Sequence, residues 1–379
     1  MMKSKKHFFR GTVLLAAALL TAAVPAQTWL GTSLTVSADE EYTVGKSGDL
    51  NYYKYSDHIV ISGCTWEAAD FTIPATIDGL PVTEIGIYAC QYAKIKTLTL
   101  PDTITYIGPY AFTNCDQLQS VTFPDSLEQI AFESFKDCKS LTEVNFPDHL
   151  VKTGDYNFDG TPWLEAQRKK DPLVIVNGAV IDGRTCSGDV KVPSGVKYVA
   201  SGAFAKNDKI TSVSFPASVT EITDNVFWYC DNLKSAELNG CTSLGFGVFA
   251  ACNKLTDIKL SGNLKKIDSY AFTDNNSTAT ITFYGSQSAW NAVEKDSSDP
   301  FLSRARMVFD ESHVIPQDEV IGDINADGAC NDADAAMLLK YLLTTGSLTE
   351  DQAKIADMDK DNELTSADLS LLKKQALAK

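Results

Sequence analysis

The sequence predicts an α/β repeat solenoid of short parallel strands, followed by a small all-α module. Three observations predict it. Phe112, Phe135 and Phe158 step by 23 residues, and Phe204, Phe227, Phe249 and Phe272 step by 23, 22 and 23. Short runs of alternating apolar and polar residues follow the repeated segments, as strands do. Near the C-terminus a twelve-residue acidic loop occurs twice, 34 residues apart.

The N-terminus has a composition of its own. Lys3, Lys5, Lys6 and Arg10 precede an apolar run over 12–24, and small residues follow at Val24-Pro25-Ala26 and Val36-Ser37-Ala38. This is the layout of a secretory signal peptide over 1–38, cleaved after 26 or 38. The run is shorter than the roughly 20 residues of a membrane span. An uncleaved anchor is the alternative; release with no remaining span is the expectation. Residues 39–58 follow as an N-terminal segment.

The chain has 379 residues, 44% hydrophobic and 22% charged, which fits a folded protein too long for one ordinary domain. A net charge of −16 argues against a nucleic-acid partner, because neutralising phosphates needs clustered Lys and Arg.

The repeat is clearest in Ala111-Phe112-Thr113-Asn114-Cys115-Asp116-Gln117-Leu118, Ser134-Phe135-Lys136-Asp137-Cys138-Lys139-Ser140-Leu141, Val226-Phe227-Trp228-Tyr229-Cys230-Asp231-Asn232-Leu233 and Val248-Phe249-Ala250-Ala251-Cys252-Asn253-Lys254-Leu255. A fifth copy around Phe204 has Asn207 in the Cys place. Runs such as Ser120-Val121-Thr122-Phe123-Pro124 read as strands ended by proline, which has no N–H to extend a ladder. One unit buries about five large side chains at ~2 kcal/mol each. Ordering its residues offsets that gain, so only stacking makes the array stable. The unit Ala-Phe-x-x-Cys-x-x-Leu-x-x-Val-x-Phe-Pro resembles leucine-rich repeats of the bacterial surface-antigen (BspA-like) class. The resemblance covers 59–309 and implies a curved solenoid, here bounded at 59–312.

Nine cysteines are an awkward number for disulfides in an exported chain. Cys115, Cys138, Cys230 and Cys252 share one repeat position, where a solenoid stacks them as small buried hydrophobes. Metal binding and disulfides between coils are the sharper alternatives. Cys186 and Cys241 fall outside that position and are the isolated candidate nucleophiles.

Residues 148–192 depart from the repeat. A short capped helix is expected over 161–167 and a hairpin around Asn177-Gly178. Residues 288–293, with Trp290, are expected to cap the C-terminal end, with 306–309 as a last strand and 313–319 as a linker. Exposed strand positions, among them Thr97, Thr99, Ser120, Thr122, Ser212 and Ser214, are small and polar with no aromatic row. They fit protein recognition or adhesion better than glycan stacking. Trp228 and Tyr229 are the candidate ligand-binding patch.

The first acidic loop places Asp323, Asn325, Asp327, Asn331 and Asp334 at positions 1, 3, 5, 9 and 12. The second places Asp357, Asp359, Asp361, Thr365 and Asp368 there. The carbonyls of Ala329 and Glu363 stand at position 7. Calcium takes six to eight oxygens in flexible geometry, and this spacing gathers them around one point. Gly328 and Asn362 suit the left-handed turn at position 6. Helices are expected over 335–343 and 369–377. Ser347-Leu348-Thr349-Glu350 caps a middle helix that ends near Ala356.

Position 12 is Asp rather than the Glu of an EF-hand, and no amphipathic helix precedes the first loop. With the tandem arrangement, the start Gly322-Asp323-Ile324-Asn325-Ala326-Asp327-Gly328 and the helix Leu338-Leu339-Lys340-Tyr341-Leu342 resemble a type I dockerin over 320–379. The resemblance implies two Ca2+ sites and binding to a cohesin module of a scaffoldin, within polysaccharide catabolism. It implies cohesin selection by loop positions 10 and 11, which here are Asp332-Ala333 and Ser366-Ala367. These pairs differ, which argues against two equivalent binding orientations. Lys340, Lys373 and Lys374 are further candidate cohesin contacts.

Repeats and dockerin leave no segment of catalytic-domain size. After the leader the histidines are His58, His149 and His313, none near a repeated Cys. The expectation is a secreted, non-catalytic, cellulosome-associated protein, held extracellularly at the cell surface, whose repeats bind a protein or surface ligand. A polysaccharide hydrolase with its site in the repeats or the 148–192 insertion, and a passive spacer, are the alternatives.

Overall fold

The structure, a computed structural model, describes residues 41–65, 69–275, 278–296, 299–312, 324, 330, 332–343, 346–348, 350–358 and 363–377. The expected leader and linker lie outside them.

Strands Thr43–Ser47, Leu50–Lys54 and Ile59–Cys64 form an antiparallel meander. No element was expected before residue 59. Leu50 and Tyr52 are buried and close the apolar end of the first coil. Ile59–Cys64 then pairs in parallel with Leu80–Ile85, and the parallel ladder continues through Tyr106–Ile107, Gln129–Ile130 and Lys152–Thr153. A second parallel sheet contains Asp70–Thr72, Thr97–Thr99, Ser120–Thr122 and Glu143–Asn145. Each of its strands turns one apolar residue inward (Phe71, Leu98, Val121, Val144), and prolines at 101, 124 and 147 follow the last three.

The stack changes where the repeat lapses. Helix α1 (Pro162–Lys170) begins on Thr161, whose hydroxyl accepts the Leu164 amide at 3.2 Å, with proline in the first turn where its missing N–H costs nothing. The hairpin Val174–Val176/Ala179–Asp182 turns at Asn177 (φ 47°) and Gly178 (φ 76°), as an Asn-Gly turn with two positive φ angles does. Ala179–Asp182 pairs in parallel with Tyr198–Val199. A separate six-stranded parallel sheet then runs from Gly188–Lys191 through Ile210–Phe215, Ser235–Leu238, Asp257–Ser261 and Thr280–Tyr284 to Arg306–Phe309. Helices α2 (Gln287–Ala292) and α3 (Pro300–Arg304) lie before the last strand.

The phenylalanines form two rows, one in each of two hydrophobic cores. Phe112 stacks on Phe135 (5.2 Å between ring centroids), Phe135 on Phe158 (5.7 Å), and the row ends on Trp163 of α1 (4.8 Å). Phe204, Phe227, Phe249 and Phe272 stack at 5.2, 5.2 and 5.5 Å, and that row ends on Phe301 of α3 (4.8 Å). The doubled spacing between Phe158 and Phe204 corresponds to an intervening segment without a phenylalanine. Gly183 lies there against the Phe204 ring, where a β-carbon would overlap it.

The cysteine position is fully buried, and its thiols donate to carbonyls one coil earlier. Cys115 Sγ reaches Cys90 O (3.1 Å), Cys138 reaches Phe112 O (3.1 Å), Cys230 reaches Phe204 O (3.1 Å) and Cys252 reaches Phe227 O (3.0 Å). Asn207 and Asn275 occupy the same position at the first and last coils of the second core. Their amides donate to Gly183 O and Cys186 O, and to Phe249 O and Phe272 O. Among the described residues no disulfide joins the cysteines to one another and no group of side chains is placed to hold a metal.

The turns around each phenylalanine share a backbone device. Residues two before and two after it have positive φ: Tyr110 and Asn114, Glu133 and Asp137, Tyr156 and Gly160, Gly202 and Lys206, Asn225 and Tyr229, Gly247 and Ala251, Tyr270 and Asp274.

The C-terminal module has helices α4 (Asp332–Leu342), α5 (Glu350–Ala356) and α6 (Ser366–Leu377). Its core is built from pairs 34 residues apart: Ile324 and Met358, Cys330 and Leu364, Ala335 and Leu369, Leu338 and Leu372, Leu342 and Ala376.

Candidate functional site

Of the expected calcium ligands, Asp334, Asp357, Glu363, Thr365 and Asp368 lie among the described residues. Asp323, Asn325, Asp327, Ala329, Asn331, Asp359 and Asp361 lie outside them. Asp334 and Asp368, the two position-12 carboxylates, are wholly buried. Asp368 folds the second loop back on itself. Its Oδ1 accepts the Met358 amide and its Oδ2 the Thr365 amide, both at 2.8 Å. The Thr365 hydroxyl in turn accepts the Ala367 amide at 3.0 Å, a reciprocal cap at the start of α6. Two buried carboxylates in so small a core call for positive charge or hydrogen bonds around them. Together with the oxygen donors at positions 1, 7 and 9, they fit a hard cation.

Ser366, Ala367, Lys340, Lys373 and Lys374 are all exposed. Asp332 and Ala333 fall in the first turn of α4, and their side chains are outside the described set. The structure adds exposed apolar side chains on α4 and just beyond it: Leu339, Tyr341 and Leu343. The motif over 338–342 marks this stretch as a helix without separating its faces. Helical spacing from buried Leu338 was the signal that Leu339 and Tyr341 point elsewhere. The residues 34 positions on from Leu339 and Tyr341 are Lys373 and Gln375, so the two halves differ at these places, while Leu377 matches Leu343.

In the repeats, Tyr229 is exposed and Trp228 half-buried, their rings edge to face at 4.8 Å. Lys206 Nζ lies 4.8 Å from the Trp228 ring centroid. A shallow groove of ≈ 210 Å³ crosses the six-stranded sheet over Asp189, Ser212, Ser235, Glu237 and Lys259. Hydroxyls of Ser212 and Thr211 hold the Asp189 carboxyl below its ordinary range, the wrong direction for a general acid.

In the insertion, Asp182 is buried and accepts from Arg168 (Nε 3.0 Å, Nη2 2.8 Å) and from Arg184 Nε (2.6 Å). Arg184 also pairs with Asp159 through both terminal nitrogens. Burial works against the Arg184 charge, but the hydrogen bonds and field of these carboxylates outweigh it, and its pKa is raised. The arrangement is an ionic clamp joining coil, helix and hairpin. Burial pushes the thiols of Cys186 and Cys241 up to about 11 and about 12, away from the thiolate a nucleophile needs.

Comparison with known families finds two matches. The model described as BspA type leucine rich repeat region matches six copies over 83–168 and 184–292. The model of the dockerin type I domain matches 321–377. Both are non-catalytic domains. No curated protein matches. Among solved structures, the chain is similar to a leucine-rich repeat protein of T. pallidum, at 26% identity over 56% of this chain and 91% of that one, with a TM-score of 0.34. It is similar to a leucine rich cell surface protein of Faecalibacterium prausnitzii at 20% identity over 68% and 98%, with a TM-score of 0.34. The pneumococcal vaccine antigen PcpA is similar at 14% identity over 71% and 98%, with a TM-score of 0.31.

Proposed function

Because this chain belongs to the BspA-type leucine-rich repeat family and carries a type I dockerin domain, we propose that it is a secreted, non-catalytic cellulosome component. The dockerin binds a cohesin module of a scaffoldin, and the repeats at 59–312 recruit or adhere to a protein partner. The single observation that carries the reading is the doubled C-terminal module, whose two acidic loops share one core built from residues 34 apart.

In this reading the chain holds two calcium ions through Asp323, Asn325, Asp327, Ala329, Asn331 and Asp334, and through Asp357, Asp359, Asp361, Glu363, Thr365 and Asp368. The ions supply positive charge to the loops. Asp368 ties its loop to α6, so binding there orders the helix start. Asp332, Ala333, Lys340, Ser366, Ala367, Lys373 and Lys374 meet the cohesin, with Leu339 and Tyr341 supplying apolar contact. The asymmetry of the halves supports one binding orientation. Trp228 and Tyr229 belong to the partner surface of the repeats. The leader at 1–38 directs export, and the linker at 313–319 separates the two functional parts.

The test is affinity capture from the producer's extracellular fraction on residues 39–379, in calcium and in chelator, beside a bait ending at 316. A cohesin-bearing scaffoldin captured only by the longer bait, and only in calcium, is the expected result. Its retention in chelator or on the shorter bait overturns the dockerin assignment. A second protein held by both baits is the partner of the repeats.

A further inference from the structure

Six coils follow the strand with proline, at 74, 101, 124, 147, 193 and 216. The last three coils replace it with Asn239-Gly240, Ser261-Gly262 and Tyr284-Gly285, in register with Pro216-Ala217 through the parallel pairs Phe215↔Leu238, Leu238↔Leu260 and Ser261↔Tyr284. A β-carbon on Gly240 would overlap the Ala217 carbonyl, and one on Gly262 the Tyr284 carbonyl, so backbone meets backbone at this corner. The pyrrolidine rings of the earlier coils are missing here. A recess of ≈ 320 Å³ opens instead, within the range of small-ligand pockets, about 300–1,000 Å³.

Thr220, Asn239, Thr242, Asn263 and Lys265 line this recess beside Gly240. On a chain of net charge −16, the lining carries one formal charge, and that charge is positive. Glu221, next to Thr220, is not part of it. Lys265 is exposed and makes no ion pair among the described residues, whereas its neighbour Lys266 is held by Asp268 at 3.1 Å. Asn239 is only 7% exposed. Its amide nitrogen donates to Phe215 O at 3.3 Å, which sets the way the amide is turned. Its Oδ1 is buried with no partner among the described residues, and a buried carbonyl oxygen calls for a donor. The Thr242 hydroxyl gives its proton to Thr220 O at 2.9 Å and keeps its acceptor capacity. The recess thus asks two things of a ligand: hydroxyls that donate, and an anionic oxygen for the Lys265 ammonium. No aromatic or large aliphatic side chain lines it, so an apolar group has nothing to pack against.

We propose that this corner of the repeats binds the ring of a uronic acid sugar, with its carboxylate at Lys265 and its hydroxyls at Thr220, Asn239 and Asn263. The hydroxyl that meets Asn239 supplies the donor that Oδ1 lacks. Recognition is by hydrogen bonds and charge, without ring stacking. The site goes beyond the protein-binding reading of the repeats and does not depend on it.

The test titrates the full chain with methyl glucuronide, in calcium at physiological salt, and reads binding by saturation-transfer NMR of the ligand. Methyl glucoside, which lacks the carboxylate, and triglycine, which has a carboxylate and no hydroxyls, are titrated beside it. The chains are the unsubstituted protein, Lys265→Gln and Lys266→Gln. The two variants have the same net charge, and the second removes an ammonium that Asp268 already holds. Both lysines are exposed, so neither change disturbs a core. The expected result is glucuronide binding that is equal in the unsubstituted chain and Lys266→Gln and about tenfold weaker in Lys265→Gln. Asn263→Ala is expected to weaken it as well. Equal binding by all chains, equal loss in both lysine variants, or no glucuronide binding at all overturns the site. Glucoside or triglycine bound as tightly as the glucuronide overturns the ligand class. None of these outcomes bears on capture of a protein partner by the repeats.

Discussion

The thiol of Cys138 donates to the carbonyl oxygen of Phe112 in the preceding coil, at 3.1 Å. The same bond recurs at Cys115, Cys230 and Cys252, and Asn275 makes it through its amide. The repeated cysteine is thus a small hydrophobe that also gives a second hydrogen bond to a buried carbonyl already accepting a backbone amide. Cys138→Ala is expected to lower stability by about 1–2 kcal/mol, through the lost bond and the small void. Cys138→Ser keeps a donor and is expected to lose less. Urea midpoints of the two variants decide it, and equal midpoints would show that the bond contributes nothing.

Gly183 is the contact surface of the Phe204 ring at the start of the second core. Gly183→Ala is expected to cost about 1–3 kcal/mol by overpacking. Adding Phe204→Leu should recover part of that loss, because the smaller side chain vacates the overlap. A double-mutant cycle in urea measures the coupling; strict additivity would remove the contact as the cause.

The period of the phenylalanines and the alternating runs made the solenoid legible, because each records a side-chain contact that recurs in every coil. The meander at 43–64 was not legible, since a cap occurs once and has no period to reveal it. Tyr88 and Tyr110 lie 22 residues apart, one period, but the left-handed turns that hold them contradict the local preference of tyrosine, and only the backbone discloses them. The two acidic loops and their spacing of 34 were legible in the sequence, whereas the exposure of Leu339 and Tyr341 depends on which face of α4 packs.

Burial pushes the Asp224 carboxyl up to about 6, against the Phe246 amide that lowers it, with Asp268 and Asp155 raising it further. An unfolded aspartate titrates near about 3.9, so the folded chain holds this proton more tightly. The group's contribution to stability is full below that value and is lost as pH rises through 6. Asp224→Asn keeps an acceptor for the Phe246 amide and should stabilise the chain at neutral pH by about 1 kcal/mol, allowing for solvent screening. The gain should vanish near pH 4. A pH series of Tm for both chains tests this, and a pH-independent difference would exclude titration of Asp224 as the cause.

Asp368 both caps α6 and stands at position 12 of the second loop. Asp368→Asn retains one acceptor oxygen and removes the charge. Calorimetric titration with calcium is expected to show two tight sites in the unsubstituted chain and one in the variant. Two undiminished sites would remove Asp368 from the ligand set. Thr365→Ala, which removes the cap hydroxyl from the Ala367 amide, is expected to cost about 1 kcal/mol of module stability.

The first phenylalanine row ends on Trp163 and the second begins at Phe204, and the junction between them holds the ion pairs of Arg168, Arg184, Asp159 and Asp182 beside the hairpin Val174–Val176/Ala179–Asp182 and its parallel pairing with Tyr198–Val199. In a one-dimensional stack each coil leans only on its neighbours, so the junction of different chemistry sets the cooperative unit. Two cores that meet at a single junction are expected to melt as two blocks, and two transitions in calorimetry of the full chain would mean that no single unfolding free energy describes it.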